Sequence, residues 1–178
     1  VMPKGCIAWN ITIICVNNFP YGMTGGQAAP TTPLNARTST TPYGNYEIPF
    51  NIPYLIAAAG AVYVSRWTAM HVRRLEKSII EAIHKKGFSF VEAIAPCPTQ
   101  YGRKNRQATG LTQINYYRDN SIINHGADPR DVGIELNGPI NVGKFVDIDR
   151  ATFSDLQADI LDKAFPPESK PQTETTRT

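Results

Sequence analysis

Residues 61–95 constrain this chain more than any other stretch. "AVYVSRW" (61–67) reads as a strand, "AMHVRRLEKSIIEAIHKK" (69–86) as a helix, and "FSFVEAIA" (88–95) as a second strand. Thr68 can cap the helix, Val72, Leu75, Ile79 and Ile83 recur at helical spacing, and basic residues fill the last turn before Gly87. Strand, helix of this length and strand define a βαβ unit, two parallel strands joined by a right-handed crossover. The fold class is therefore α/β, with a mainly parallel sheet flanked by helices. Ligands of such sheets bind at the carboxyl ends of the strands.

The flanking sequence fits that plan. "ITIICVNN" (11–18) is apolar and β-branched, the pattern of a parallel strand buried on both faces. Residues 17–49 are turn chemistry throughout, and so long an irregular stretch is usually functional or disordered. "IPYLIAAAG" (52–60) reads as a helix with Asn51 near its start and Gly60 past its end. Beyond Pro96, residues 111–123 read as a helix and 142–149 as a late strand, followed by a terminal helix over 152–165 capped by Thr152 or Ser154. Residues 166–178 lack apolar side chains and read as a disordered tail.

Composition narrows the function classes. A chain of 178 residues with 42% hydrophobic residues can bury a core as one domain. A net charge of +3 with acids interspersed gives no nucleic-acid footprint. Three widely spaced cysteines (Cys6, Cys15, Cys97) form no disulfide framework and point to a reducing, cytoplasmic setting. No run is apolar enough for a membrane span, and the start has no signal region. Val1 is not a natural initiator, so the chain reads as a piece of something longer. His71, His84 and His125 lack metal-ligand spacing, and His71 and His84 read as surface residues.

Two places carry possible chemistry. "NNFPYGMTGGQAAPTTP" (17–33) follows the first strand directly. An Asn side-chain oxygen and the Pro20 carbonyl can supply part of the oxygen shell of Mg²⁺, and "GMTGG" lets backbone amides approach a phosphate as an anion nest. The plain alternative is a hairpin-like loop that uses Asn and Gly for its turns. Cys97 is a lone cysteine after a strand, the usual setting of an inert buried residue. "YGRKNR" (101–106) reads as a solvated loop, with a basic patch for an acidic partner or for phosphate groups as the sharper alternative.

Four blocks, "VNNFPYGMTGGQAAPTTP", "TPYGNYEIPFNIPYLIAAAGAVYVSRW", "HKKGFSFVEAIAPCPTQYGR" and "VGKFVDIDR", resemble the β subunit of 2-oxoacid:ferredoxin oxidoreductases, most of all the 2-oxoglutarate type. The resemblance runs in order over residues 11–165 and implies a thiamine-diphosphate-binding fold, incomplete at the N-terminus. It implies Asn18 and the Pro20 carbonyl as Mg²⁺ ligands, with Gly22 and Met23 lining the cofactor and Met23 bracing its bent shape. Thr24, Gly25, Gly26 and Gln27 would lie near the diphosphate and the 2-oxoacid, so Met23, Thr24 and Gly25 are the catalytic candidates. Some relatives carry lysine at the position of Gly25, and glycine here fits the 2-oxoglutarate branch. Cys97, in a Cys-Pro-Thr segment, would be one of four thiolate ligands of a [4Fe–4S] cluster. Cys15 reads as core, and Cys6 gets no role.

The resemblance further implies oxidative decarboxylation of 2-oxoglutarate to succinyl-CoA, with electrons passed to ferredoxin and an α subunit completing the site. Residues 34–50 and the helix 52–60 are the candidate contact surface. The Gly-Asp-Gly and Cys-x-x-Cys segments of the family are absent from this sequence. Residues 1–10 read as a divergent or truncated start, and the chain as a fragment, a frameshifted product or a truncated relative. Alone it is expected to hold neither cofactor firmly. The alternatives are a non-catalytic remnant that binds the α subunit, or a binding module built on the basic loop.

Overall fold

The fold is that of a computed structural model, which describes residues 9–165. Expectations for Cys6 and for a tail over 166–178 lie outside the described residues. One five-stranded sheet contains β1 (Ile11–Asn17), β4 (Tyr63–Thr68), β5 (Phe88–Ile94), β6 (Ser121–Ile123) and β7 (Ile140–Asp147), in the order β1-β5-β4-β7-β6. β2 (Pro20–Tyr21) and β3 (Gln27–Ala28) form a separate small hairpin. The helices are α1 (Ile52–Ala58), α2 (Val72–His84), α3 (Gly110–Asn120) and α4 (Phe153–Ala164). β1, β5 and β4 run parallel, β4 and β7 antiparallel, and β7 and β6 parallel, so the sheet is mainly parallel as expected.

The unit β4–α2–β5 is the anticipated strand–helix–strand, with three local differences. α2 starts at Val72, because Thr68 extends β4 and its hydroxyl lies 2.8 Å from His71 Nδ1. The stripe facing the sheet is Leu75, Ser78, Ile79 and Ala82, while Val72 and Ile83 are exposed. Those four fall at i, i+3, i+4 and i+7, and Trp67 Nε1 donates to Ser78 Oγ at 2.7 Å, which holds that face against β4. His71 is half-buried rather than on the surface, and its burial lowers its pKa.

β1 departs most from expectation. Instead of being buried on both faces it lies at the sheet edge, with Ile11, Ile13, Ile14 and Val16 exposed. Among the described residues it pairs with β5 alone, so its side chains lack the neighbours that bury β4 and β5 completely. Further along, α3 stops at Asn120 where a longer helix was expected, because the β-branched pair Ile122–Ile123 joins β7 as β6. Thr152, not Ser154, caps α4, in a capping box with Asp155.

Alternation along the strands sorts the core into clusters. Val64, Phe88 and Phe90 pack with Ile52, Ile56 and Ala57 of α1, whereas Tyr63 and Val91 pack with Leu75, Ile79 and Ala82 of α2. A third cluster joins Phe19, Ala36, Trp67, Ile94, Tyr101 and Tyr117. It sits where the parallel strands end and anchors both the long loop after β1 and the turn after β5. No helix among the described residues is long and apolar enough to cross a membrane.

Candidate functional site

β1 and β5 are in register to their last residues, Asn17 opposite Ile94, so the chain leaves both strands at the same level. The two exits run side by side. Ala95 N donates to Asn17 O at 3.0 Å and Cys97 N to Asn18 O at 3.4 Å. Parallel pairing therefore brings Asn18 and Cys97 together across a long sequence separation. Gly22 lies between them. A Cβ at Gly22 would sit 3.5 Å from both Asn18 Nδ2 and Cys97 Sγ.

A buried polar chain sets this arrangement from below. Asn17 Nδ2 donates to Glu92 Oε1 at 2.8 Å, and Asn17 Oδ1 accepts from Phe19 N at 3.1 Å and Thr31 Oγ1 at 2.8 Å. Glu92 Oε2 accepts from Arg66 Nε at 2.6 Å, and Arg66 also donates to Val132 O at 2.5 Å. Arg66 and Glu92 are 1% and 0% exposed, so each charge survives burial through the other. The Asn17 side chain is thus spent on structure, and the exposed Asn18 is the asparagine able to face a ligand. Between them Phe19 adopts φ 69°, a left-handed turn held by the Asn17 bond, by Thr32 Oγ1 donating to Phe19 O at 2.8 Å, and by Phe19 packing on Tyr101. Asn17 entered the sequence reading only as the neighbour of Asn18 in the Asn-Asn pair, and Arg66 and Glu92 were not singled out. Their signal was there: one charge in each of two otherwise uncharged central strands.

The glycine segment differs from an open anion nest. Gly25 N and Gly26 N already donate to Gly22 O (3.3 Å) and Tyr21 O (2.9 Å), closing the β2–β3 hairpin. Thr24 Oγ1 donates to Gln27 Oε1 at 2.7 Å and Gln27 Nε2 to Thr24 O at 2.8 Å, so these two satisfy one another. The hairpin alternative thus describes the local conformation. Pro20 is buried at the base of the hairpin, while Met23, Thr24 and Gly25 form its exposed tip, with the Gly25 amide tied back to Gly22 O. Gly26 has φ 81°, and a Cβ there would meet Gln100 Oε1 at 2.7 Å. This close approach seats the hairpin on the turn that follows Cys97.

Cys97 caps that turn, a π-helical segment over Pro98–Gly102. Its sulfur accepts from Gln100 N at 3.4 Å, with the Thr99 hydroxyl 3.2 Å away. Partial burial pushes the thiol pKa up, but the Thr99 hydroxyl and the amides of residues 99–101 outweigh it and leave the pKa below the ordinary value. That favours the thiolate, the form that binds metals. Cys15 behaves oppositely: burial first, then the Glu92 carboxylate, raise its pKa, as befits its packing beside the core. His84 is exposed, and His125 Nδ1 accepts from Lys144 N at 3.2 Å. Among the described residues no three His, Cys, Asp or Glu side chains form a metal-binding group. What the cluster offers is one amide side chain, one thiolate-prone sulfur and a glycine that leaves room between them.

The chain is similar to known proteins. The family model of the thiamine pyrophosphate enzyme C-terminal TPP binding domain matches residues 7–93. The 2-oxoglutarate synthase subunit KorB of Methanocaldococcus jannaschii is 43% identical over 155 residues, which is 86% of this chain and 57% of that protein. Its namesake from Archaeoglobus fulgidus is 45% identical over 125 residues, 70% of this chain and 47% of the other. A solved 2-oxoglutarate:ferredoxin oxidoreductase from Magnetococcus marinus superposes with TM-score 0.70 at 23% identity, covering 93% of this chain and 57% of that one. That structure contains 2-oxoglutarate, coenzyme A and succinyl-CoA, and it shows the likeness of fold. The chain spans about half the length of the curated relatives it matches. Over the matched residues the chain is a homologue of the β subunits of 2-oxoacid:ferredoxin oxidoreductases, 2-oxoglutarate synthase subunits among them, and it has the thiamine-diphosphate-binding fold.

Proposed function

We propose that this chain forms part of the β subunit of an oxidoreductase that converts 2-oxoglutarate, coenzyme A and two oxidised ferredoxins to succinyl-CoA, CO₂, a proton and two reduced ferredoxins. The observation that carries this reading is the convergence of Asn18, Gly22 and Cys97 where β1 and β5 end, in a chain whose relatives are named for that chemistry. The donor types fit the groups partially. An amide oxygen from Asn18 with the Pro20 carbonyl suits part of an Mg²⁺ shell, and Cys97 suits one corner of a [4Fe–4S] cluster. Thiamine diphosphate, when bound, supplies the electron sink for decarboxylation. The residues of this chain supply position. The Glu92–Asn17 bond fixes the strand end from which Asn18 projects, and Gly22 leaves the space between Asn18 and Cys97 open. Met23, Thr24 and Gly25 are exposed at the hairpin tip, and in this reading they would meet substrate or cofactor there.

The remaining thiolates, ion ligands and active-site walls come from outside the described residues and from an α subunit. The exposed apolar side chains Tyr43, Tyr46, Ile48, Phe50 and Leu55 support an α-subunit contact over residues 34–60.

The test is the assembled native protein with 2-oxoglutarate, coenzyme A and an oxidised ferredoxin. Turnover is expected, and Asn18→Ala and Cys97→Ala are each expected to cost at least about a hundredfold in rate. Cys97→Ala should also remove the low-temperature electron spin resonance signal of the reduced cluster. Assembly with an α subunit but without turnover would favour the non-catalytic remnant instead.

A further inference from the structure

The cations on the two segments that follow β1 and β5 stand in carboxylate-free sequence. Residues 9–46 and 93–117 contain no Asp or Glu, yet they carry Arg37, Arg103, Lys104 and Arg106. None of these four takes part in an ion pair among the described residues, and neither do Arg73, Arg74, Lys86, Arg150 and Lys163, which lie outside these segments. Arg37, Lys104 and Arg106 line one cavity of about 190 Å³, with Asn35, Asn105 and Asn137 contributing polar wall. Among the described residues no acidic side chain lines it.

The cavity is built rather than casual. Asn105 is buried and ties its two walls together: its Oδ1 accepts from Arg37 N at 2.8 Å, and its Nδ2 donates to Arg37 O and Tyr101 O, each at 2.9 Å. Of the four non-glycine residues with positive φ among the described residues, three line this cavity: Asn35 (65°), Arg106 (62°) and Asn137 (58°). Left-handed residues cost free energy and collect where a ligand gives them a use.

We infer that this cavity is a binding site for a phosphate, either free or as the terminal group of a phosphorylated small molecule. Two guanidinium groups and one ammonium offer more charge than a single carboxylate needs, and the guanidinium fork matches phosphate oxygens. By the share each molecule takes in the liquid, the volume holds about six waters, enough for a phosphoryl group and its immediate attachment. The inference does not depend on the oxidoreductase reading.

The test is calorimetric titration of the protein as purified, with its native subunits, using inorganic phosphate and adenosine 3′,5′-bisphosphate at low salt. The probes are compared on the native sequence, on Arg37→Gln with Lys104→Gln, and on a charge-matched control, Arg73→Gln with Lys86→Gln. Arg106 is left intact because its left-handed backbone makes a substitution there ambiguous. Saturable binding that weakens at least about tenfold in the first pair and holds in the control is expected. Tighter binding of the bisphosphate would identify a larger phosphorylated ligand, and equal binding would identify the free anion. Equal loss in both double variants would reduce the effect to net charge and overturn the site. So would no saturable binding of either probe, including the case where an acidic peptide binds there instead.

Discussion

β1 and β5 lie side by side, run parallel and read alike as ITIICVN and FSFVEAI, yet every residue of β5 is buried while β1 buries Asn17 alone. Their neighbours differ, not their hydrophobicity. β5 sits between β1 and β4 with helices over it, whereas β1 has one strand partner among the described residues. An apolar strand announces that it is suited to burial, and its place in the sheet order decides whether burial happens. The polar residues invert the lesson. The one charge in β5, Glu92, is fully buried and holds both Arg66 and Asn17, so the least apolar position in the strand organises the site above it.

The largest test of this comparison removes that charge. Glu92→Leu leaves Arg66 buried and unpaired, and is expected to cost about 3–5 kcal/mol in denaturant unfolding of the assembled protein. A cost under about 1 kcal/mol would mean that water reaches the pair and that the inversion argument fails. Next comes the pair of truncations that defines the contrast. Phe90→Ala on β5 is expected to cost about 3–5 kcal/mol, and Ile14→Ala on β1, with Ile14 47% exposed, about 1 kcal/mol or less. Equal costs would show that β1 is covered in the native assembly, and the difference between the strands would then belong to the described residues alone.

The two thiols sharpen the comparison chemically. Cys97, past the end of β5, has a lowered pKa and is partly accessible, while the pKa of Cys15 within β1 is raised. With any cluster removed, iodoacetamide should modify Cys97 first, with its rate rising at a lower pH than that of an ordinary thiol. Preferential labelling of Cys15 would contradict the hydrogen bonding at Cys97. The smallest effect lies at the far end of the sheet. Lys85, then Lys144, hold the Asp147 carboxyl below its usual range. Because the folded pKa is the depressed one, this contribution is present above the ordinary carboxylate range and is lost as pH falls through the folded value. Asp147→Asn should therefore lower stability by about 0.2–1 kcal/mol at neutral pH, and by less as the solution is acidified. A deficit that grows in acid would reverse the assignment.

The α/β class, the β4–α2–β5 unit and the positions of Asn18 and Cys97 at strand ends were legible in the amino-acid order, because periodicity and caps are local properties. The Thr152 cap and the hairpin character of residues 20–28 were equally close to the surface of the text. Other features depend on residues far apart in the chain. Nothing within residues 11–18 says that β1 takes the edge, and nothing near Arg66 says that it meets Glu92. The parallel register that sets Asn18 beside Cys97 joins segments separated by the whole βαβ unit. So does the Asn105 bridge that closes a cationic cavity around Arg37. The sequence by itself determined which segments become strands and helices and which residues can do chemistry, since those follow from side chains within a few positions of one another. Strand order and loop packing decided which of those residues share a site, because contacts of long sequence separation are chosen by the assembled sheet.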